Sequence, residues 1–321
     1  MARSTPARLI AVLLNRPRIL LTIISTFCVF NLVLQWVWGE WSASFLGFEL
    51  IFLLLTSLLP IVATAFYKWF VELSQEVDKA FVTKGRSWLR QQAERLFNLR
   101  LLLVPGCILT IVGVYSTYVY WVPWTGWIRA LFYAVCMIFF FGYGIFGYVF
   151  VALATLMIKI GRLELATGMF RWPVTHLHRI YDIYFRFLAL GSGLYLLAVL
   201  AVWVSPGGRS IALQTGLGRL WVFPPALFII VFFVIFHYVI HVQLRNCKWG
   251  ADEQLSVKAE DAYNQLCEQW STERESAVTA LLSWREHVRS TSEWPGSVRL
   301  VATTIGTVLL PTITVVVDLL K

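Results

Sequence analysis

Six stretches of this chain run for 18 to 29 residues with Glu49 as their only ionised side chain, and that pattern constrains the fold more than any other feature. They are residues 19–38, 48–66, 101–121, 130–158, 187–204 and 221–242. A hydrocarbon core about 30 Å thick is crossed by about 20 apolar helical residues, whereas barrel strands alternate over about ten. In lipid every backbone N–H and C=O must be satisfied within the segment, which for runs of this length means helices. A seventh stretch, residues 300–320, is apolar but interrupted by five Thr and Pro311.

Charge content agrees. Only 14% of the 321 residues are charged, against about a quarter in soluble domains, and 58% are hydrophobic. A water-facing surface cannot be built from so few charges, which excludes a soluble globular enzyme. The expected class is an all-α, multi-pass membrane protein with six or seven spans, arranged as three hairpins plus a C-terminal helix. Residues 1–249 form the hairpin region, 250–294 an acidic helical segment, and 297–321 a Thr-rich helix expected to span. The first apolar run lacks a small-residue cleavage site before Trp36, Trp38 and Trp41, so it reads as a retained span.

Orientation follows from the basic residues. The segments before span one and between spans two and three, four and five, and six and seven hold 23 Lys or Arg, and the opposite loops hold three. By the positive-inside rule the N-terminus and large loops are cytoplasmic, as in a bacterial inner or plasma membrane. The net charge of +9 is then a topology signal and implies no nucleic-acid partner. Trp36, Trp38, Trp41, Trp121, Trp124, Trp127, Trp203 and Trp221 flank the opposite turns, where indole rings anchor at the headgroup interface and contact membrane lipid.

The cytoplasmic stretches differ in kind. Residues 68–100 place Trp69, Phe70, Leu73, Val77, Phe81, Trp88, Leu89 and Phe97 at helical spacing among basic residues. Such a helix can lie on anionic lipid, or extend the spans outward and pack on the third stretch. Residues 162–186 carry Trp172-Pro173 and read as an interfacial elbow. Residues 250–294 hold nine of the 18 acidic residues and four basic ones, so this part is net −5 while the rest is +14. Leu255, Leu266, Trp270, Leu281 and Trp284 fall at helical steps along it, predicting one long amphipathic helix or a helical pair. Its apolar face must be covered, and the basic first and second stretches are its expected electrostatic partners. The partner is this chain, a second copy, or a cytoplasmic protein recruited to residues 250–294. Trp294-Pro295-Gly296 is expected to end the helix.

Motifs with chemistry are scarce. His237 and His241 stand four apart, which puts two imidazoles on one helix face in the manner of a metal pair, although interfacial helix ends tolerate His for blander reasons. The five Cys are scattered without a CxxC spacing and read as small apolar residues. Gly142-Tyr143-Gly144 occurs in potassium-channel filters, but on a short re-entrant loop. Here it lies within a 29-residue run, so Gly142, Gly144 and Gly147 read as sites of close helix contact or a bend. Phosphate-loop, nucleophile-elbow, kinase and dinucleotide motifs are absent from the sequence. The expectation is therefore no enzyme, no cofactor and no metal.

The last segment carries the functional expectation. At 100° per residue Thr303, Thr307, Thr314 and Asp318 share one narrow arc. In a homo-oligomer that stripe can line an axis, with Asp318 favouring cations at the mouth. The reading is an ion channel or pore-forming effector controlled by the cytoplasmic helices. The alternatives are a non-conducting scaffold that recruits a cytoplasmic partner, and a lipid or small-molecule carrier using the aromatic spans as a greasy cavity.

Overall fold

The computed structural model describes residues 43–82, 87–96, 98–120, 127–166, 173–204 and 216–294, with isolated positions between 22 and 37 and at 306, 313 and 317. These residues are helical apart from turns, connections and a single backbone bridge. The helices are α1 (Ala43–Ala80), α2 (Ser87–Leu96), α3 (Leu99–Tyr120), α4 (Trp127–Ile160), α5 (Val174–Val204), α6 (Gly216–Glu268) and α7 (Thr272–Ser290). Five of them, α1, α3, α4, α5 and α6, are long and apolar enough to cross a membrane.

Glycine sets the tightest approach in the bundle. A Cβ on Gly144 of α4 would lie 2.5 Å from the Pro105 carbonyl oxygen and 2.8 Å from Gly106 Cα, so α3 and α4 meet backbone to backbone. One on Gly142 would meet Leu59 of α1 at 2.6 Å. Small residues allow this contact where lipid supplies no hydrophobic drive between helices. Gly147 departs from the expectation, since a Cβ there would meet nothing within 4 Å.

A second organising principle is aromatic packing. α1 lies along α5, and α6 lies against α4 and α5. Tyr181, Tyr184, Phe187, Phe232 and Phe236 are fully buried where these helices meet. Their rings contact at centroid distances of 5.3 to 6.3 Å, as in Tyr181–Phe236 and Tyr184–Phe236. A smaller cluster of Leu53, Leu55, Val135, Cys136, Phe139 and Ala201 fills the far end of the bundle.

The helices outrun their apolar segments. α1 continues 14 residues beyond Phe66, with Leu73, Val77 and Ala80 buried, and α5 begins 13 residues before Phe187. These extensions pack side by side. The stretch 68–100 is thus not one helix: it divides at Phe81–Val82, where the Val82 N–H donates to the Glu164 carbonyl at 2.9 Å and the Ala166 N–H to the Ala80 carbonyl at 3.0 Å. This short antiparallel bridge ties the end of α1 to the elbow after α4. Its continuation, α2, is fastened to α4 by Tyr148 Oη donating to the Leu96 carbonyl (2.6 Å) and Lys159 Nζ to Gln92 (2.7 Å). The extension of α1 therefore packs on α5; packing on the acidic third stretch is one of the two arrangements the sequence leaves open.

Of the interface tryptophans, Trp203 is exposed near the end of α5, Trp127 opens α4 and Trp221 lies in α6. Trp36, Trp38, Trp41, Trp121 and Trp124 lie outside the described residues.

Candidate functional site

α6 is a single helix of 53 residues. Past Val242 it continues for 26 more residues, about 39 Å at 1.5 Å each. Residues 251–268 contain neither Pro nor Gly and are dominated by good helix formers. At Gln269–Ser271 the chain reverses, and α7 returns antiparallel along α6. The acidic stretch is thus a helical pair, in effect a stalk that rises beyond the apolar bundle.

The reversal is capped on both sides. Ser271 Oγ accepts the Arg274 N–H at 3.2 Å as the N-cap of α7, and Glu273 and Glu275 occupy its first turn, where the helix dipole favours negative charge. The Arg274 guanidinium donates to the carbonyls of Gln265 (2.8 Å) and Gln269 (2.9 Å), which satisfies acceptors at the end of α6.

The seam between the two helices is thin. Leu255 and Ala259 of α6 and Val278 and Val288 of α7 are its buried residues. Leu266 and Leu281 are half-buried, whereas Trp270 and Trp284 are 71% and 45% exposed. Within this chain only part of the set is covered: the pair is narrow enough that each helix shields only one stripe of the other, and both tryptophans face outward. Tyr263 and Leu282 are exposed as well.

Ion pairing within the stalk also differs from expectation. Asp252 accepts from Arg285 Nε at 2.8 Å and from Arg289 Nε and Nη2 at 3.0 and 3.2 Å. These hydrogen bonds, Arg289 first, hold its carboxyl below the usual carboxylate range, and Asp252 in turn raises the Arg289 guanidinium. Asp252 is thus paired inside its own hairpin and not with the first two basic stretches. With Arg285 and Arg289 engaged there, the exposed acids Glu253, Glu260, Asp261, Glu268, Glu273, Glu275 and Glu286 leave the stalk surface acidic.

At its base the stalk is locked to the bundle. After α7 ends at Ser290, four residues earlier than Trp294 suggested, the chain folds back on α6. Trp294 stacks on His241 (ring centroids 4.0 Å apart, 16° between planes) and lies 5.6 Å from His237. His241 Nδ1 donates to the Glu293 carbonyl at 2.9 Å, and Lys248 Nζ meets Glu293 Oε1 at 3.3 Å and the Thr291 carbonyl at 3.2 Å. His237 Nδ1 lies 3.4 Å from Tyr181 Oη, which connects the lock to α5. The two histidines thus share a ring stack. Among the described residues no group of three His, Cys, Asp or Glu is placed to hold a metal.

A second polar cluster stands where the extensions of α1 and α5 meet. Glu76 has 6% of its side chain exposed. Around it are His176 Nδ1 at 2.7 Å, Lys79 Nζ at 3.0 Å and Arg179 Nη1 at 3.4 Å. Burial pushes the Glu76 carboxyl up, but the hydrogen bonds and charges of His176 and Lys79 outweigh it and hold the group below its ordinary range. Arg186 to Glu72, at 3.2 Å, adds a more exposed pair. Nothing in the sequence marked Glu76; the available signal was its place at i+3 from the buried Leu73 and i−1 from the buried Val77.

No protein-family model matches the chain, and no curated protein or solved structure matches it. Thr303, Thr307, Thr314 and Asp318, the stripe on which the channel expectation rests, lie outside the described residues.

Proposed function

We propose that this is a multi-pass integral membrane protein whose spans form hairpins and whose α6–α7 stalk stands in the cytoplasm to recruit a protein partner. The partner would bear a basic face with apolar side chains. The observation that carries this reading is a rigid connection that ends in an unshielded tip. α6 runs unbroken from the apolar bundle into the stalk, the stalk is locked at its base by Trp294 on His241, and at its far end Trp270 is 71% exposed amid acidic residues. Exposed indoles on a charged helical pair are costly in water and are a usual mark of an interaction surface. The acidic field would draw a basic partner and raise its rate of encounter.

The sorting of 23 basic residues to one side supports the cytoplasmic assignment of the stalk. The ion-conducting reading draws no comparable support from the described helices, and no chemical reaction is proposed.

A photo-crosslinking amino acid replacing Trp270 in living cells tests the proposal. The expected result is one discrete adduct with a second, basic protein, lost when Glu268 and Glu273 are both changed to Lys. Adducts only with a second copy would replace recruitment by self-association. No adduct, together with cation flux in vesicles that Asp318→Asn reduces, would favour the channel instead.

A further inference from the structure

Between α1, α3, α4, α5 and α6 lies a cavity of about 570 Å³. It is within the size range of small-molecule and cofactor sites. Leu59, Val112, Phe146, Leu188 and Phe228 are typical of its wall, which contains only Leu, Val, Ile, Ala, Phe, Tyr, Gly and Pro side chains. Of its tyrosines, Tyr195 is occupied in donating to the Val222 carbonyl at 3.1 Å. Along α4 the lining runs from Phe139 to Val151, about 18 Å of helix, more than half the depth of a hydrocarbon core about 30 Å thick.

The cavity has a mouth. Gly147 and Val151 line it and are exposed on the flank of the bundle, Val151 to 47%. A Cβ on Gly147 would meet nothing within 4 Å, whereas one on Gly191 of α5 would lie 2.2 Å from the Phe150 ring of α4. The contact between α4 and α5 is thus closed at Gly191 and Phe150, while the wall is open at Gly147.

We infer that this cavity holds one acyl chain of a bilayer phospholipid, inserted sideways past Gly147. Water gains nothing there, because a buried water needs two to four polar partners and the wall offers almost none. Left empty, the wall would forfeit its dispersion contacts. The surrounding medium consists of acyl chains, the elongated shape suits one, and the opening faces that medium. A further helix of this chain is too large: 20 residues at about 10 Å diameter occupy roughly 2,400 Å³. The inference rests on the membrane-spanning reading of these five helices and is independent of what the stalk binds.

Full-length protein is reconstituted in vesicles of phosphatidylcholine carrying a photoreactive diazirine on one acyl chain, with and without free oleic acid, and compared as wild type, Gly147→Trp and Gly193→Trp. Gly193 also lies on a bundle helix and has nothing within 4 Å of its Cβ position, but it does not line the cavity. Native mass spectrometry should find one phospholipid retained per chain in the wild type and in Gly193→Trp, and at least tenfold lower occupancy in Gly147→Trp. Crosslinks in the wild type should map to the lining segments of α4 and α5. Equal retention in all three proteins, retention of oleic acid alone, or crosslinks confined to the outer helix faces would overturn the inference. So would crosslinks of a diazirine residue at Leu188 to residues 19–38 of the same chain. Alkaline extraction of the vesicles separates the two levels: a chain that stays in the pellet without retained lipid defeats the acyl site alone, and a chain that washes off defeats the membrane reading beneath it.

Discussion

The bundle and the stalk are built from one continuous helix, α6, yet they are held by different forces. In the bundle, α6 contributes Ala226, Phe232, Phe236, Ile240 and Leu244 to an interior that five helices share. In the stalk it contributes Leu255 and Ala259 to a seam shared with α7 alone. The bundle is fixed by interlocking rings and by glycine contacts with no slack. The stalk depends on caps, a bidentate carboxylate and a few aliphatic contacts. Cooperative unfolding units follow contact density, so the stalk is expected to open at a lower free energy than the bundle. A thin seam with exposed indoles is also what a surface awaiting a partner requires, because binding supplies the burial that the free hairpin lacks.

The largest loss is expected at Gly144. Replacing it by Leu drives a side chain into the Pro105 carbonyl and Gly106 Cα, which are backbone and cannot rotate away. The cost is expected at about 3 kcal/mol, enough to lose the monodisperse particle in mild detergent. Hydrogen exchange should then show α3 and α4 deprotected while the α6–α7 turn is unchanged. If the stalk lost protection to the same degree, the two regions would be one cooperative unit and the contrast would fail.

A smaller effect is expected at Glu76. Ala there removes the acceptor shared by His176, Lys79 and Arg179 and should destabilise the α1–α5 contact by about 2 kcal/mol, read as a lower melting temperature in detergent. The same carboxylate gives a pH dependence. Its folded pKa lies below the ordinary value of 4.5, so its contribution is present above that pH and is lost as pH falls through the folded value. Wild-type protein should therefore lose stability on acidification below about pH 4.5 more steeply than Glu76→Gln. Parallel acid profiles for the two proteins would remove Glu76 from the account.

Much of the bundle was legible because its physics is one-dimensional: an apolar run of about 20 residues declares a span whatever its neighbours are. The close contact at Gly142 and Gly144 was legible for a similar reason, since small residues within such a run have few other uses. Gly147 has the same sequence signature and faces a cavity, because which flank a glycine occupies depends on partners that periodicity does not name. The stalk was legible as an acidic helical pair, but its pairing was not. Asp252 finds Arg285 and Arg289 through a hairpin register set by the turn at Gln269–Ser271, and bulk charge had pointed instead to the basic stretches. Trp294 reads as the residue that ends a helix, and only the fold-back brings its ring onto His241. The Glu76 cluster joins residues a hundred positions apart, a distance over which sequence spacing carries no information.

The smallest effect is expected at Asp252, in the stalk. Asp252→Asn keeps the shape of the side chain and one acceptor oxygen but removes the charge that engages Arg285 and Arg289. Arg289 is 57% exposed in that pair and Asp252 28%, so solvent already screens it and the cost is expected at only about 0.5 to 1 kcal/mol. In the bundle a loss of that size would vanish into the packing. In a stalk whose seam buries Leu255, Ala259, Val278 and Val288, it is a large share of what holds α7 down, so local opening of residues 272–290 should rise about two- to fivefold by hydrogen exchange. Added salt should mimic the substitution in the wild type and have little further effect in the variant, because both act on the same screened pair. A variant indistinguishable from wild type at low salt would mean that the caps at Ser271 and Arg274 and the Trp294 lock suffice to hold the hairpin, and that the stalk is stiffer than its thin seam implies.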